Sequence, residues 1–165
     1  MAIRISSKAL ILKDQMVLLG HGAWYHGDDY DLPGGGQHIY ETMKEALVRE
    51  VLEETGYMVI PGRLAAVKEE IFTDLRLREK WPEYTHRVNH VFLCELADVP
   101  RQKPTEMDQG SEGVFWYPVE KLPEIADKLF PSGLVDALPR ILAGECVVLD
   151  TQYLEDSLEW MEEQK

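Results

Sequence analysis

Leu32-Pro33-Gly34-Gly35-Gly36-Gln37-His38-Ile39-Tyr40-Glu41-Thr42-Met43-Lys44-Glu45-Ala46-Leu47-Val48-Arg49-Glu50-Val51-Leu52-Glu53-Glu54-Thr55-Gly56-Tyr57 decides how the rest of the chain is read. Thr42 followed by Glu45 forms a capping box, no Pro or Gly interrupts residues 42–55, and Gly56 supplies a stop. A helix is predicted there. On a helical wheel Met43, Ala46, Leu47 and Val51 share an apolar face, Glu50 and Glu54 project from within it, and Glu53 lies at its edge. Three carboxylates then occupy an arc of roughly 100°. Like charges at that spacing repel, and two of them interrupt the stripe that should meet the core, so a solvated charged face explains them poorly. A cation offsetting them is the better reading, and Mg²⁺ or Mn²⁺ suits an all-oxygen ligand set. Arg49, four residues before Glu53, can orient a carboxylate without being a metal ligand.

The glycines upstream matter because backbone groups approach an anion or a metal-bound oxygen closely only where no Cβ intervenes. A tight loop feeding a helix N-terminus also presents N–H groups to negative charge. Gly34, Gly35 and Gly36 are therefore candidates for contacting substrate.

Outward from this stretch, residues 3–13 and 16–20 read as strands joined by a turn at Asp14-Gln15, and residues 21–31 as a loop or frayed strand. Residues 57–72 and 85–96 read as strands, the first broken near Pro61-Gly62, with a charged and aromatic connection from Thr73 to Tyr84. Gly113 to Tyr117 suggests a short strand and Pro118 to Lys128 a short helix. Residues 131–143 suggest a helix that Pro139 should kink or end, and Thr151 to Gln164 an amphipathic helix. Strands mixed with a few helices, in no strict βαβ alternation, favour one domain over residues 1–165 built as a mixed sheet flanked by helices.

The formal charge of −13 argues against a duplex nucleic acid partner, because such proteins set Lys and Arg against phosphates. It is compatible with a nucleotide held through divalent cations. No stretch approaches the ~20 apolar residues of a membrane span. The first residues lack the apolar core of a signal peptide, so the expectation is an intracellular, cytoplasmic protein with no membrane partner. Cys94 and Cys146 have no zinc spacing and read as buried free thiols.

The spacing Gly35, five residues, Glu41, seven residues, Arg49-Glu50, apolar Val51, one residue, Glu53-Glu54, one residue, Gly56, apolar Tyr57 resembles the defining box of the Nudix hydrolases at every constrained position. Coincidence at the fixed identities has a probability on the order of 10⁻⁹ per window. Tyr30 stands where many members have Trp, and Tyr40 where many have Gly. The resemblance implies a Nudix-type α/β/α sandwich with a central mixed β-sheet. It also implies metal-dependent hydrolysis of a diphosphate linkage in a nucleotide-like small molecule, by water attack at phosphorus. Carried onto this chain it makes Glu50, Glu53 and Glu54 metal ligands, with Glu41 supporting the metal shell, Gly35 supplying backbone contacts and Mg²⁺ as cofactor. Glu53 or a glutamate from a later loop would accept the proton. A Nudix-like nucleotide sensor that binds without turnover is the competing reading, which the intact carboxylate set disfavours.

Weaker candidates lie outside the box. Glu112, ahead of Phe115-Trp116, is a downstream carboxylate that a loop could aim at the helix, and Glu106 is a poorer one; surface glutamate is the ordinary alternative. One of Glu69 and Glu70, which face opposite ways on a strand, could reach the metals. Trp24 with Tyr25 could form a base or sugar pocket. Arg76, with Arg78, Lys80, Trp81 and Tyr84, could hold a phosphate and stack a base, or could be a solvated loop or a homodimer contact. His86 and His90 lack a third zinc ligand.

Overall fold

The computed structural model describes residues 3–23, 27–80, 82–106 and 110–154. Strands β1 (Arg4–Lys13) and β2 (Met16–Gly22) form the expected hairpin, with Asp14 at φ 50° and Gln15 at φ 60° in its two-residue turn. Positive φ at both central residues matches the right-handed twist of the flanking strands. Residues 4–11 of β1 pair in parallel with β5 (His86–Leu96), whereas only Leu12 and Lys13 pair with β2. β1 therefore belongs to two sheet segments. One contains β4 (Val59–Phe72), antiparallel to β5, with β8 (Val147–Val148) and β9 (Gln152–Leu154) along the other edge of β4. The other contains β2, β3 (Asp29–Asp31), β6 (Ser111–Pro118) and β7 (Leu129–Phe130).

Alternation along β1 decides what lies on each side of the sheet. Ala9 and Ile11 face helix α1 (Met43–Thr55), packing with Leu47, Val51, Phe92 and Cys94. Leu10 faces the other way, toward helix α3 (Leu134–Leu142) and the 3₁₀ helix Val119–Ile125, with Leu122, Leu138 and Ile141. A mixed sheet thus lies between helical layers, as an α/β/α sandwich requires.

α1 has the expected ends. The Thr42 hydroxyl accepts from the Glu45 N–H, the Glu45 carboxylate accepts from the Thr42 N–H, and Gly56 takes φ 73°. Ala46, Leu47 and Val51 are buried as predicted, but Met43, in the first turn, is exposed at the edge of the layer.

Other expectations are corrected. β4 is not broken at Pro61-Gly62; it absorbs that pair as a bulge, where a Cβ on Gly62 would lie 2.7 Å from the Leu93 carbonyl. The Thr73–Tyr84 connection contains a short helix, α2 (Leu75–Lys80). Pro139 does not end α3, whose short length leaves one missing hydrogen bond to be outweighed by burial of Leu134, Leu138 and Ile141. Gln152–Leu154 is a strand rather than the start of a helix, because the β4 edge at Glu70–Phe72 offers it backbone partners. The rest of that predicted helix lies outside the described residues. Cys94 is buried as expected, and Cys146 is exposed.

Candidate functional site

The glycine loop lies along β1 like an extra strand. Ala9 N–H donates to the Pro33 carbonyl (2.8 Å), Ser7 N–H to that of Gly35 (2.9 Å), and Gln37 N–H to that of Ile5 (3.0 Å). Gly34 has φ 127°, and any Cβ there would collide with the Ser7 carbonyl. A Cβ on Gly35 would meet the Glu50 carboxylate instead. The loop can approach both strand and helix only because these positions carry no side chain.

α1 turns its carboxylates onto this loop. The Glu54 carboxylate accepts from the Gly34 N–H at 2.9 Å. Arg49 gathers the others: its Nε and Nη2 donate to the two oxygens of Glu41 (2.8 and 2.9 Å), and its Nη1 donates to Glu50 (2.8 Å) and Glu53 (3.2 Å). Its Nη2 also donates to the Gly36 carbonyl at 3.0 Å. One guanidinium thus draws Glu41, Glu50 and Glu53 together with the loop, using the planar donor fork that lysine lacks. In the protein alone, Arg49 is the cation that offsets the carboxylate repulsion. Its hydrogen bonds hold the Glu41 carboxyl down at about 2, against the ordinary value of 4.5, despite partial desolvation. The Arg49 pKa is itself raised, chiefly by Glu41.

The donor chemistry suits a hard divalent cation: several carboxylates and nearby backbone carbonyls, all oxygen. The space a Gly35 side chain would fill holds the Glu50 carboxylate. Among the described residues no three acidic, His or Cys side chains already converge on one metal position. Glu50 and Glu53 are turned onto Arg49, and holding a cation would mean sharing or releasing those bonds.

The remaining candidates fall elsewhere. Glu112 sits exposed on β6 and pairs with His21 Nδ1 at 2.7 Å, so the strand aims it at β2 rather than at the box helix. Arg76, on α2, is exposed and forks onto Asp74 at its own helix start. Glu70 is buried against Arg87 (2.6 Å) and Asn89 (3.0 Å), and Glu69 bonds His86 at 2.8 Å. Neither glutamate joins the cluster. Trp24, Tyr25 and Trp81 lie outside the described residues. Tyr40 is fully exposed at φ 70°, the left-handed conformation that explains why glycine is common there among proteins with this box.

Of the two downstream glutamates, it is the backbone of Glu106 that meets the box helix. Thr105 and Glu106 N–H both donate to the Glu53 carbonyl (2.9 and 3.1 Å), which brings Glu106 to the box helix. A close contact between residues some fifty positions apart leaves no local signature. Lys8, a lysine within an apolar strand and so a buried cation in need of partners, also reaches the glycine loop, donating to the Gly34 carbonyl at 2.8 Å.

A carboxylate-rich helix packed under a glycine loop at the edge of a mixed sheet defines a class of hydrolases that cleave pyrophosphate bonds. The NUDIX domain family matches residues 3–138, and the chain belongs to that family. It is accordingly a hydrolase acting on pyrophosphate bonds, in a family that uses divalent metal cations. It is 26% identical to an RNA pyrophosphohydrolase of Xylella fastidiosa, with 89% of this chain and 83% of that protein covered. In fold it is similar to a NUDIX hydrolase from Nitrosomonas europaea (TM-score 0.67, 20% identity, 87% of this chain and 90% of that one). It also resembles an ADP-ribose pyrophosphatase from Streptococcus suis (TM-score 0.59, 19% identity, 90% of this chain and 100% of that one).

Proposed function

We propose that the protein, acting as one domain, hydrolyses a diphosphate linkage in a nucleoside diphosphate derivative or nucleoside triphosphate, using Mg²⁺ with Mn²⁺ as a substitute. The observation that carries this reading is the gathering of Glu41, Glu50 and Glu53 around one cationic group, beside a loop whose glycines leave the backbone accessible. Glu50, Glu53 and Glu54 would hold the metal, with Glu41 and the Gly35 backbone supporting it. A bound divalent cation supplies charge neutralisation of the diphosphate and acidification of a water. Arg49 keeps Glu41, Glu50 and Glu53 clustered. The glycine loop lets the diphosphate approach without steric obstruction, and Glu53, or a glutamate of a later loop such as Glu106, whose backbone N–H bonds the Glu53 carbonyl, accepts the proton as water attacks phosphorus. The sequence offers no Ser–His or Cys–His constellation at the box, which favours water over a protein nucleophile.

A panel of nucleoside diphosphate sugars, dinucleoside polyphosphates, ADP-ribose and nucleoside triphosphates, incubated with Mg²⁺ and resolved by chromatography, identifies the substrate. EDTA is expected to abolish turnover and Mg²⁺ or Mn²⁺ to restore it. Undiminished hydrolysis after exhaustive chelation would overturn the metal assignment.

A further inference from the structure

Lys8 is a lysine placed inside a strand that is otherwise mostly buried. Its neighbour Leu10 belongs to the cluster beneath α3, and alternation puts Lys8 on that same face, opposite α1. Its ammonium donates to the Asp31 carboxylate at 2.7 Å and to the Gly34 carbonyl at 2.8 Å. The carboxylate of Asp31, on β3, accepts only this bond among the described residues, its second oxygen being buried without a hydrogen-bond partner. Burial raises the Asp31 pKa, and Lys8 acts against that rise.

The Gly34 carbonyl belongs to the peptide whose N–H is that of Gly35. In a trans peptide the two groups point in opposite directions. With the carbonyl drawn toward Lys8, the Gly35 N–H is directed toward the layer of α1, where the Glu50 carboxylate borders Gly35. No acceptor among the described residues takes that N–H. The peptides on either side are held by different groups: Pro33 and Gly35 carbonyls by β1, and the Gly34 N–H by Glu54. Lys8 therefore supplies the hold on the carbonyl of a loop peptide whose N–H no acceptor among the described residues takes.

We propose that Lys8, clamped by Asp31, is a positioning residue that orients the Gly34–Gly35 peptide so that the Gly35 N–H donates to a non-bridging phosphoryl oxygen of the substrate. Carboxylates cannot donate to such an oxygen, and a fixed backbone N–H stabilises charge developing on it without reorganising. The inference rests on the proposed placement of the diphosphate at the box.

The test compares Lys8→Met, Lys8→Arg, the double variant Lys8→Met/Asp31→Asn and Glu54→Gln, with the substrate that the panel shows to be turned over fastest. Lys8→Met is expected to lower kcat at least about tenfold while KM changes less than about threefold, since one preorganised donor typically contributes more than that. Lys8→Arg should recover most of the loss. Mn²⁺ affinity, read by electron paramagnetic resonance, should stay within about twofold of wild type, because the metal-ligand candidates are untouched. The Gly35 amide resonance in a ¹⁵N–¹H correlation spectrum should move in Lys8→Met more than those of α1. If Lys8→Met does not fold, the double variant, which leaves no buried carboxylate without its cation, gives the same readings. Wild-type kcat and an unmoved Gly35 resonance in a folded Lys8 variant, with Glu54→Gln inactive, would overturn this inference and leave the box assignment standing. Full activity of Glu54→Gln would instead overturn the reading on which it rests.

Discussion

Gly34 and Gly35 are neighbours of the same residue type, but what surrounds each assigns it a different role. A side chain at Gly34 would meet the Ser7 backbone carbonyl, which cannot move without displacing β1, and would sit at φ 127°. The atoms nearest to a side chain at Gly35 are those at the end of the Glu50 side chain, which can swing away. Gly34→Ala is therefore expected to destabilise the fold by about 2 kcal/mol or more, since backbone strain and a steric clash combine. Gly35→Ala should leave the melting temperature within a few degrees of wild type and reduce kcat at least about tenfold by displacing Glu50. Thermal unfolding and steady-state kinetics on both variants separate the two outcomes. The sequence marked both glycines as unusual backbone. It could not tell them apart, because the distinguishing atoms belong to Ser7 and Glu50, one on a strand and one on a helix.

α1 is the element whose limits could be read most directly. Its capping box, uninterrupted interior and terminal glycine are local signals, and all are present in the structure. Thr42→Ala should cost about 1 kcal/mol by removing the acceptor of the Glu45 N–H and weakening the reciprocal bond. That corresponds to a fall of about 3 °C in melting temperature for a chain of this size, measurable by circular dichroism. The far end of the helix was less legible. Arg101 donates to the Thr55 carbonyl, Gln102 N–H to that of Gly56, and Thr105 and Glu106 N–H to that of Glu53. A distant segment thus satisfies carbonyls that a helix terminus leaves without partners. No periodicity in residues 101–106 announces that task.

Across the whole molecule, burial on the two faces of the sheet sorts groups that look alike in the sequence. Cys94 lies in the cluster under α1, and burial pushes its thiol up to about 12, whereas Cys146 is exposed. Because the thiolate is the reactive form, the native protein should titrate one thiol with Ellman's reagent at pH 8 and still only one at pH 9, the second reacting on denaturation. Two thiols reacting in the native state would show that the layer under α1 opens readily. The same sorting places Glu70 in the interior against Arg87 while Glu69 stays near the surface with His86. It also separates Glu112 and Arg76 from the box, each taken up by a partner close to it in space.

By itself the sequence determined the family, the hairpin, the box helix with both of its caps, and the set of carboxylates on that helix. These are all local: fixed spacings, capping residues and the periodicity of apolar side chains operate within a few turns or one strand. Only the tertiary structure decided that Arg49 gathers Glu41, Glu50 and Glu53, that Glu106 rather than Glu112 reaches the box helix, and that Lys8 holds the glycine loop from the opposite face. Each of those outcomes depends on which strands pair and on which side of the sheet a side chain emerges. Pairing joins residues 83 positions apart in β1 and β5, and a shift of one residue reverses every side chain. Such relations are set by the packing of the sheet as a whole, so no window of sequence contains them.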